Sequence, residues 1–133
     1  MMIDEEKKFK GYYFLLEKWI KLNTFGYEIS EFFMDRELST VGIYGMQAIG
    51  EILHKQLEKC GIRIAFLCDQ NPSNVFYEAN IIYPKDITNC DAIVVTPFYS
   101  FDEIEKMLVN YSNAEIISIE EIIYCLYEKY FEN

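Results

Sequence analysis

Histidine and closely spaced cysteines are nearly absent from this sequence, which argues against the common metal sites. The chain of 133 residues has one histidine, His54, and four cysteines, none of them in a C-x-x-C pair. Structural zinc sites take four Cys or His ligands, usually in paired spacing. We therefore expect no metal centre, and we expect Cys60, Cys68, Cys90 and Cys125 to be reduced thiols.

Basic residues are too few and too scattered for a protein that binds nucleic acid. The chain has 12 Lys and Arg against 22 Asp and Glu, a net charge of −10. A phosphate backbone needs clustered cations that displace its counterions, and the one short basic stretch, Lys7-Lys8-Lys10, follows the acidic Asp4-Glu5-Glu6. The same balance disfavours an anionic membrane surface, so we predict neither nucleic-acid nor membrane partners.

Long apolar runs and a leader-like start are missing as well. No stretch of the sequence approaches the roughly 18 apolar residues of a membrane span. The start is acidic and is followed by no small-residue cleavage site, unlike a secretory signal. We expect a cytoplasmic protein of about one domain, since domains typically have roughly 100–200 residues.

Aromatic residues are abundant, with 11 Tyr and 10 Phe, and many lie near the N-terminus. Apolar spacings of 4, 3 and 4 predict a helix over 4–22, and a second short helix follows over 29–38. The predicted apolar stripe consists of Phe9, Tyr13, Leu16 and Ile20, widened by Tyr12, Leu15 and Trp19. We interpret residues 1–38 as a helical extension that packs on the domain or on a partner, because Tyr and Phe are enriched in interface cores. A homo-oligomer would bury this stripe; the alternative is an aromatic-rich core.

From residue 39 onwards, short apolar runs alternate with helical patterns. Strands are predicted over 40–44, 62–68, 80–83, 92–96 and 115–119, and helices over 46–59, 101–110 and 120–130. Strands that alternate with helices favour a parallel sheet with right-handed crossovers. Residues 39–133 therefore predict a Rossmann-like α/β domain with five parallel strands in the order 3-2-1-4-5, flanked by helices.

The turn after the first predicted strand carries the strongest chemical signal. The dinucleotide fingerprint is G-x-G-x-x-G between a strand and a helix, with an acid about 20 residues later. This chain has Gly45-Met46-Gln47-Ala48-Ile49-Gly50 there, and Asp69 ends the second predicted strand. Gly45 suits the tight turn and Gly50 suits close packing of helix on strand, but Gln47 stands where a glycine would let a pyrophosphate approach.

Two interpretations of this turn stay open. In the first, the free N–H groups and dipole of the helix N-terminus still bind a phosphate of NAD(P) or of a nucleotide sugar. Gln47 then donates a hydrogen bond itself, and Asp69 accepts from a ribose hydroxyl. In the second, the turn is scaffold only, and Asp69 closes an Asp-x-Asn-Pro turn.

The loop after the fourth predicted strand is a second candidate. Ligands of doubly wound sheets bind at the carboxyl ends of the strands where the strand order reverses, so Thr96, Tyr99 and Ser100 are expected beside Gly45. The alternative is a plain loop in which Ser100 forms a capping box with Glu103.

No acid, base or nucleophile can be assigned from the sequence. None of the 11 tyrosines has a lysine four residues later, as a short-chain dehydrogenase would need, and there is no G-x-S-x-G elbow. His54 lies in the middle of a predicted helix and is interpreted as a surface residue. The sequence therefore favours a non-catalytic module.

Several segments outside the turn also have a recognisable pattern. They are Trp19-Ile20-Lys21-Leu22, Ile43-Tyr44-Gly45-Met46, Cys68-Asp69-Gln70-Asn71-Pro72, Val94-Val95-Thr96-Pro97 and 117–123. With them, residues 19–122 resemble a family of small bacterial Rossmann-like domains linked to surface-polysaccharide synthesis, similar to the N-terminal nucleotide-sugar-binding domains of sugar acetyltransferases. Members of that family usually have Gly-Met-Gly where this chain has Gly-Met-Gln at 45–47. The resemblance implies a role near nucleotide-sugar metabolism and identifies no reaction.

Overall fold

A five-stranded sheet forms the centre of the fold in a computed structural model, which describes residues 5–132. The strands are β1 (Thr40–Tyr44), β2 (Arg63–Cys68), β3 (Ile81–Ile82), β4 (Ala92–Val95) and β5 (Glu115–Ser118). The helices are α1 (Glu5–Thr24), α2 (Ser30–Asp35), α3 (Ala48–Lys59), α4 (Phe101–Leu108) and α5 (Ile119–Phe131). Short 3₁₀ helices lie at Pro72–Asn74, Pro84–Asp86 and Phe98–Ser100.

The strands are all parallel and lie in the order β3-β2-β1-β4-β5, which confirms the predicted Rossmann-like α/β fold. Tyr44, the last residue of β1, pairs with Cys68 of β2 on one side and with Val95 of β4 on the other. The carboxyl ends of these three strands therefore meet at one edge of the sheet. The order reverses between β1 and β4, and this is where such folds bind their ligands.

Both faces of the sheet are covered, as the continuous apolar run of β4 predicts. Ala92 and Val94 belong to the larger apolar cluster, with residues of α1, α2, α3 and α5. Ile93 and Val95 belong to the smaller cluster, with Leu108 of α4. Alternate residues of β4 therefore serve opposite layers, and helices cover the sheet on both sides.

The N-terminal helix contacts the core with one edge of the predicted apolar stripe. Leu15, Trp19 and Leu22 are buried, and they belong to the same cluster as the strand residues. The predicted stripe is largely exposed, at 65% for Phe9 and 62% for both Tyr13 and Ile20. The edge of the stripe that carries Leu15 and Trp19 therefore packs on the domain, and most of its centre faces solvent.

The second helix is shorter than predicted and ends at Asp35 instead of residue 38. Glu37 has a φ of +57°, and the N–H of Leu38 donates back to the carbonyl of Phe33 at 2.9 Å. A left-handed residue with this hydrogen bond is a standard way to end a helix. Glycine is the usual residue at such a position, so a glutamate there does not predict the end of a helix.

Two further findings bear on the exclusions made from the sequence. All four cysteines are free thiols, as predicted. Within residues 5–132, no helix combines the length and the apolar character that crossing a bilayer requires.

Candidate ligand-binding site

A cavity of about 490 Å³ opens at the switch between β1 and β4. Its walls come from the turn after β1, the end of β2, the loop after β4 and helix α1. The predicted site residues that line it are Gly45, Gln47, Ala48, Ile49, Asp69, Thr96 and Tyr99. The other two, Met46 and Gly50, are buried behind the turn. The structure thus brings the two predicted segments into one crevice.

Gly45 makes the tight turn at the floor of the crevice, as predicted. Its φ is +98°, a conformation that side chains other than glycine's rarely adopt. A Cβ atom at this position would overlap Thr96 Oγ1 and lie 2.5 Å from Pro97 Cδ. The glycine is therefore required both by the turn and by the close approach of the loop after β4.

Gly50 packs α3 directly against the same turn. A Cβ atom at Gly50 would overlap the carbonyl oxygen of Gly45. This confirms that the last glycine of the motif serves helix packing.

Thr96 fastens the turn from the other side of the crevice. Its side chain is buried, and its hydroxyl donates to the carbonyl oxygen of Gly45 at 2.6 Å. The backbone N–H of Thr96 donates to the carbonyl of Tyr44 at 3.0 Å and continues the parallel ladder. Thr96 is thus part of the floor, and its hydroxyl is already occupied.

Asp69 holds two loops with one carboxylate. Oδ2 accepts from the N–H of Met46 at 2.8 Å, and Oδ1 accepts from the N–H of Asn71 at 3.1 Å. The second bond confirms the predicted Asx-type turn, and the first ties Asp69 to the glycine-rich turn. Each carboxylate oxygen has further acceptor capacity. Among the described residues that line the crevice, Asp69 alone carries a charge.

Gln47 stands at the rim and does not plug the crevice. It is the N-cap residue of α3, with φ −80° and ψ −162°, and its exposed side chain makes no capping hydrogen bond. The first N–H groups of a helix have no intrahelical partner. The N-terminus of α3 therefore faces a crevice whose rim is an amide side chain instead of a glycine.

Helix α1 supplies a wall that sequence reasoning missed. Tyr12 and Leu16 line the crevice, and the Tyr12 ring packs edge-on against Phe98 and Tyr99 at 5.1 and 5.7 Å between centroids. Lys8 Nζ lies 4.4 Å from the centre of the Tyr99 ring. No spacing in the sequence relates α1 to the loop after β4, so no local signal could have revealed this contact.

Tyr12 and Tyr44, two of the phenols that line the crevice, stay protonated near neutral pH because their pKa values are raised. Burial, together with a hydrogen bond to Tyr99, raises the pKa of Tyr12 well above its usual value. Burial also raises the pKa of Tyr44 to about 12, with the charges of Cys68 and Asp69 adding to the effect. The Tyr44 hydroxyl donates to Gln70 Oε1 at 3.4 Å. These groups act as neutral hydrogen-bonding partners and aromatic walls.

The predicted capping box after β4 does not form. Ser100 precedes α4, but its side chain makes no capping hydrogen bond, because a 3₁₀ turn over Phe98–Ser100 leads into the helix. Ser100 instead lines the crevice beside Tyr99.

His54 forms a second polar cluster, away from the crevice. It is only 7% exposed, its Nδ1 lies 2.5 Å from the Tyr77 hydroxyl, and its Nε2 lies 3.5 Å from Glu58. The interpretation as a surface residue was wrong, because the segment between β2 and β3 folds over α3 and brings Tyr77 onto the imidazole. Burial lowers the pKa of His54, against the opposing charge of Glu58.

This burial predicts a loss of stability on mild acidification. The unfolded chain protonates His54 at its ordinary pKa near 6.5, whereas the folded chain resists protonation to a lower pH. The contribution of neutral His54 to the free energy of unfolding is therefore fully present above about pH 6.5. It is lost as the pH falls towards the lower pKa of the folded state. Urea unfolding midpoints between about pH 7.5 and 5 should fall for the natural chain and fall less for His54→Gln. Equal slopes for the two proteins would contradict this assignment.

Asp91 also contributes to the pH dependence of stability, but at a pH below the range of this test. Backbone N–H groups of Ser39 and Thr40 lower the pKa of Asp91 below its usual value of 3.8. Its contribution is lost only below that pH, so it does not overlap the His54 range.

Comparisons with family models, curated proteins and solved structures found no match to the chain.

Proposed function

We propose that this protein is a nucleotide-binding module that takes NAD(P) or a nucleotide sugar in the crevice between β1 and β4. The main observation behind this proposal is that the glycine-rich turn, Asp69 and the loop after β4 surround one open cavity. This cavity lies where the strand order reverses between β1 and β4. Its volume of about 490 Å³ lies within the range of about 300–1,000 Å³ that is typical of small-molecule sites.

The lining suggests how such a ligand would be oriented. Phosphate oxygens would accept from the N-terminal N–H groups of α3, near Ala48 and Ile49. A ribose hydroxyl would donate to the remaining lone pairs of Asp69. The exposed amide of Gln47 would donate at the rim, where a glycine would leave only backbone. Tyr99 offers an aromatic face for the base or sugar.

A non-catalytic role fits the chemistry of the walls. The described residues of the lining include no histidine, cysteine or lysine, and the phenols of Tyr12 and Tyr44 have raised pKa values. General acid–base catalysis works best with a group whose pKa lies near the working pH. The resemblance to polysaccharide-linked domains supports placing the module near nucleotide-sugar metabolism.

Ligand titration tests the proposal directly. Thermal-shift and calorimetric titrations with NAD, NADP, CoA and UDP-sugars should show saturable stabilisation by one of them, about 2.7 kcal/mol at a concentration of 100 Kd. Asp69→Asn should weaken that binding, and Glu115→Gln, an exposed carboxylate on β5 outside the crevice lining, should leave it unchanged. Absence of stabilisation by any of these ligands at millimolar concentration would contradict the proposal.

Gln47→Gly separates the two roles that the glutamine could have. If its side chain obstructs the phosphate, affinity should rise in the variant. The fold should tolerate the change, because glycine is accepted at a helix N-cap. Unchanged affinity would reject obstruction, and lower affinity would also make Gln47 a contact of the ligand.

An assembly domain is the second candidate function. The observation that favours it is the exposed aromatic and aliphatic stripe of α1, which the domain's own core leaves uncovered. Large exposed apolar patches mark interaction sites more often than chance.

A further inference from the structure

Helix α1 carries an apolar seam that faces solvent. The seam consists of Phe9, Tyr13, Leu16 and Ile20; Leu16 is half-buried, and the other three are exposed by more than 60%. Their spacings of 4, 3 and 4 residues are those of the a and d positions of a coiled coil. The core is built mainly from the other face of the helix, and of the four seam residues Leu16 alone also packs against it.

Charges beside the seam identify the kind of partner that fits it. Lys10 and Glu17, both exposed, each follow a seam residue by one position and so lie along the same edge of the seam. If a second α1 runs antiparallel across the seam, Lys10 meets Glu17 of the partner subunit, and Glu17 meets the partner's Lys10. Such flanking charges set partner choice and orientation in helix pairs. The edge is therefore complementary to itself in the antiparallel sense.

The same register pairs the apolar residues. Phe9 lies opposite Ile20 of the partner subunit, and Tyr13 lies opposite the partner's Leu16. The contact is isologous, because each copy presents the same patch and the pair closes on a two-fold axis.

We propose that α1 is the docking surface for a second copy of this chain, in an antiparallel two-fold pair of α1 helices. Helix α1 has 20 residues and is about 30 Å long, so the two α1 helices contact each other over at most that length. An interface of this size is small, and the dimer is expected to form at about micromolar concentration.

The pair also bears on the crevice. Leu16 belongs to both the seam and the crevice lining. The partner's Tyr13, packed on Leu16, therefore lies beside the mouth of the crevice. Each copy extends the wall of the other copy's site.

Sedimentation velocity on the full chain without ligand tests the pairing, over about 1 to 200 μM. A monomer–dimer equilibrium is expected for the natural chain, and Tyr13→Glu and Ile20→Glu should each raise the dissociation constant at least tenfold. Phe76→Glu is the matched control, because Phe76 is 94% exposed in the segment between β2 and β3 and lies outside α1, so its substitution should leave the dimer intact. Circular dichroism checks that each variant is folded.

Exchange of charges tests the antiparallel sense. Lys10→Glu and Glu17→Lys should each weaken the dimer, and the double variant should restore it, since opposite charges face each other again. A monomeric natural chain over the whole range would overturn the proposal. So would equal loss with Phe76→Glu, or a double variant no tighter than the single ones. Because no ligand is present, these outcomes are independent of whether the crevice binds a nucleotide.

Discussion

Gly50→Ala is expected to lower the free energy of unfolding by about 2–3 kcal/mol, although alanine is the better helix former by about 1 kcal/mol. The added Cβ atom would overlap the carbonyl oxygen of Gly45, which is backbone and has no rotamer to escape to. The N-terminus of α3 must then move away from β1. Urea unfolding followed by circular dichroism measures the change.

Gly11→Ala is the matched control for this prediction. Gly11 also lies in a helix, but its Cβ atom would meet only the ring edge of Phe98, at 3.1 Å. An aromatic side chain gives way more easily than a carbonyl, and helix propensity then offsets the contact. If Gly50→Ala proved as stable as Gly11→Ala, the close packing of α3 on the turn would be refuted.

Trp19→Ala is expected to have the larger effect, a loss of about 3–5 kcal/mol. Trp19 is 2% exposed, and its indole Nε1–H donates to Gln56 Oε1 on α3 at 2.9 Å. Removing it creates a cavity between α1 and the domain and leaves the Gln56 oxygen without this donor. Since Trp19 is the single tryptophan of the chain, unfolding must be followed by far-UV circular dichroism.

Two further variants help to interpret the loss of stability expected for Trp19→Ala. Phe9→Ala removes an aromatic ring that is 65% exposed on the same helix. At protein concentrations too low for the α1 helices to pair, it should change stability by less than about 0.5 kcal/mol. Trp19→Phe keeps most of the packing and loses the hydrogen bond, so it should fall between the two. A small effect of Trp19→Ala, or a biphasic transition, would mean that α1 is an appended extension. A single transition with the full loss would mean that it belongs to the folding unit.

The sheet could be predicted because its signals are local. The run 92–96 is continuous and apolar, so it predicts a strand covered on both faces, and Gly45 and Gly50 lie where a Cβ atom would overlap neighbouring atoms. Such signals depend on the residue and its immediate neighbours. The five strands follow from them, and their order follows from the fold class that alternating strands and helices predict.

The faces of α1 and the walls of the crevice could not be predicted in the same way. Periodicity detects an apolar stripe, but it does not say which edge of the stripe meets the core, and here Trp19 was placed beside the stripe instead of at its centre. Tyr12 reaches Tyr99 only through the tertiary fold, and His54 is buried only because Tyr77 returns over α3. Each of these depends on contacts between distant parts of the chain.

The two hydrogen bonds that fasten the glycine-rich turn have a consequence for how the crevice could change its ligand. Thr96 and Asp69 hold the backbone at Gly45 and Met46 in place through the protein's own hydrogen bonds. Because the floor of the crevice is already organised, little binding free energy is lost in ordering it when a ligand binds. Selectivity between ligands then depends on the exposed rim, where Gln47 can be substituted with little loss of stability. Altered specificity should be accessible through single rim substitutions, with the floor kept constant.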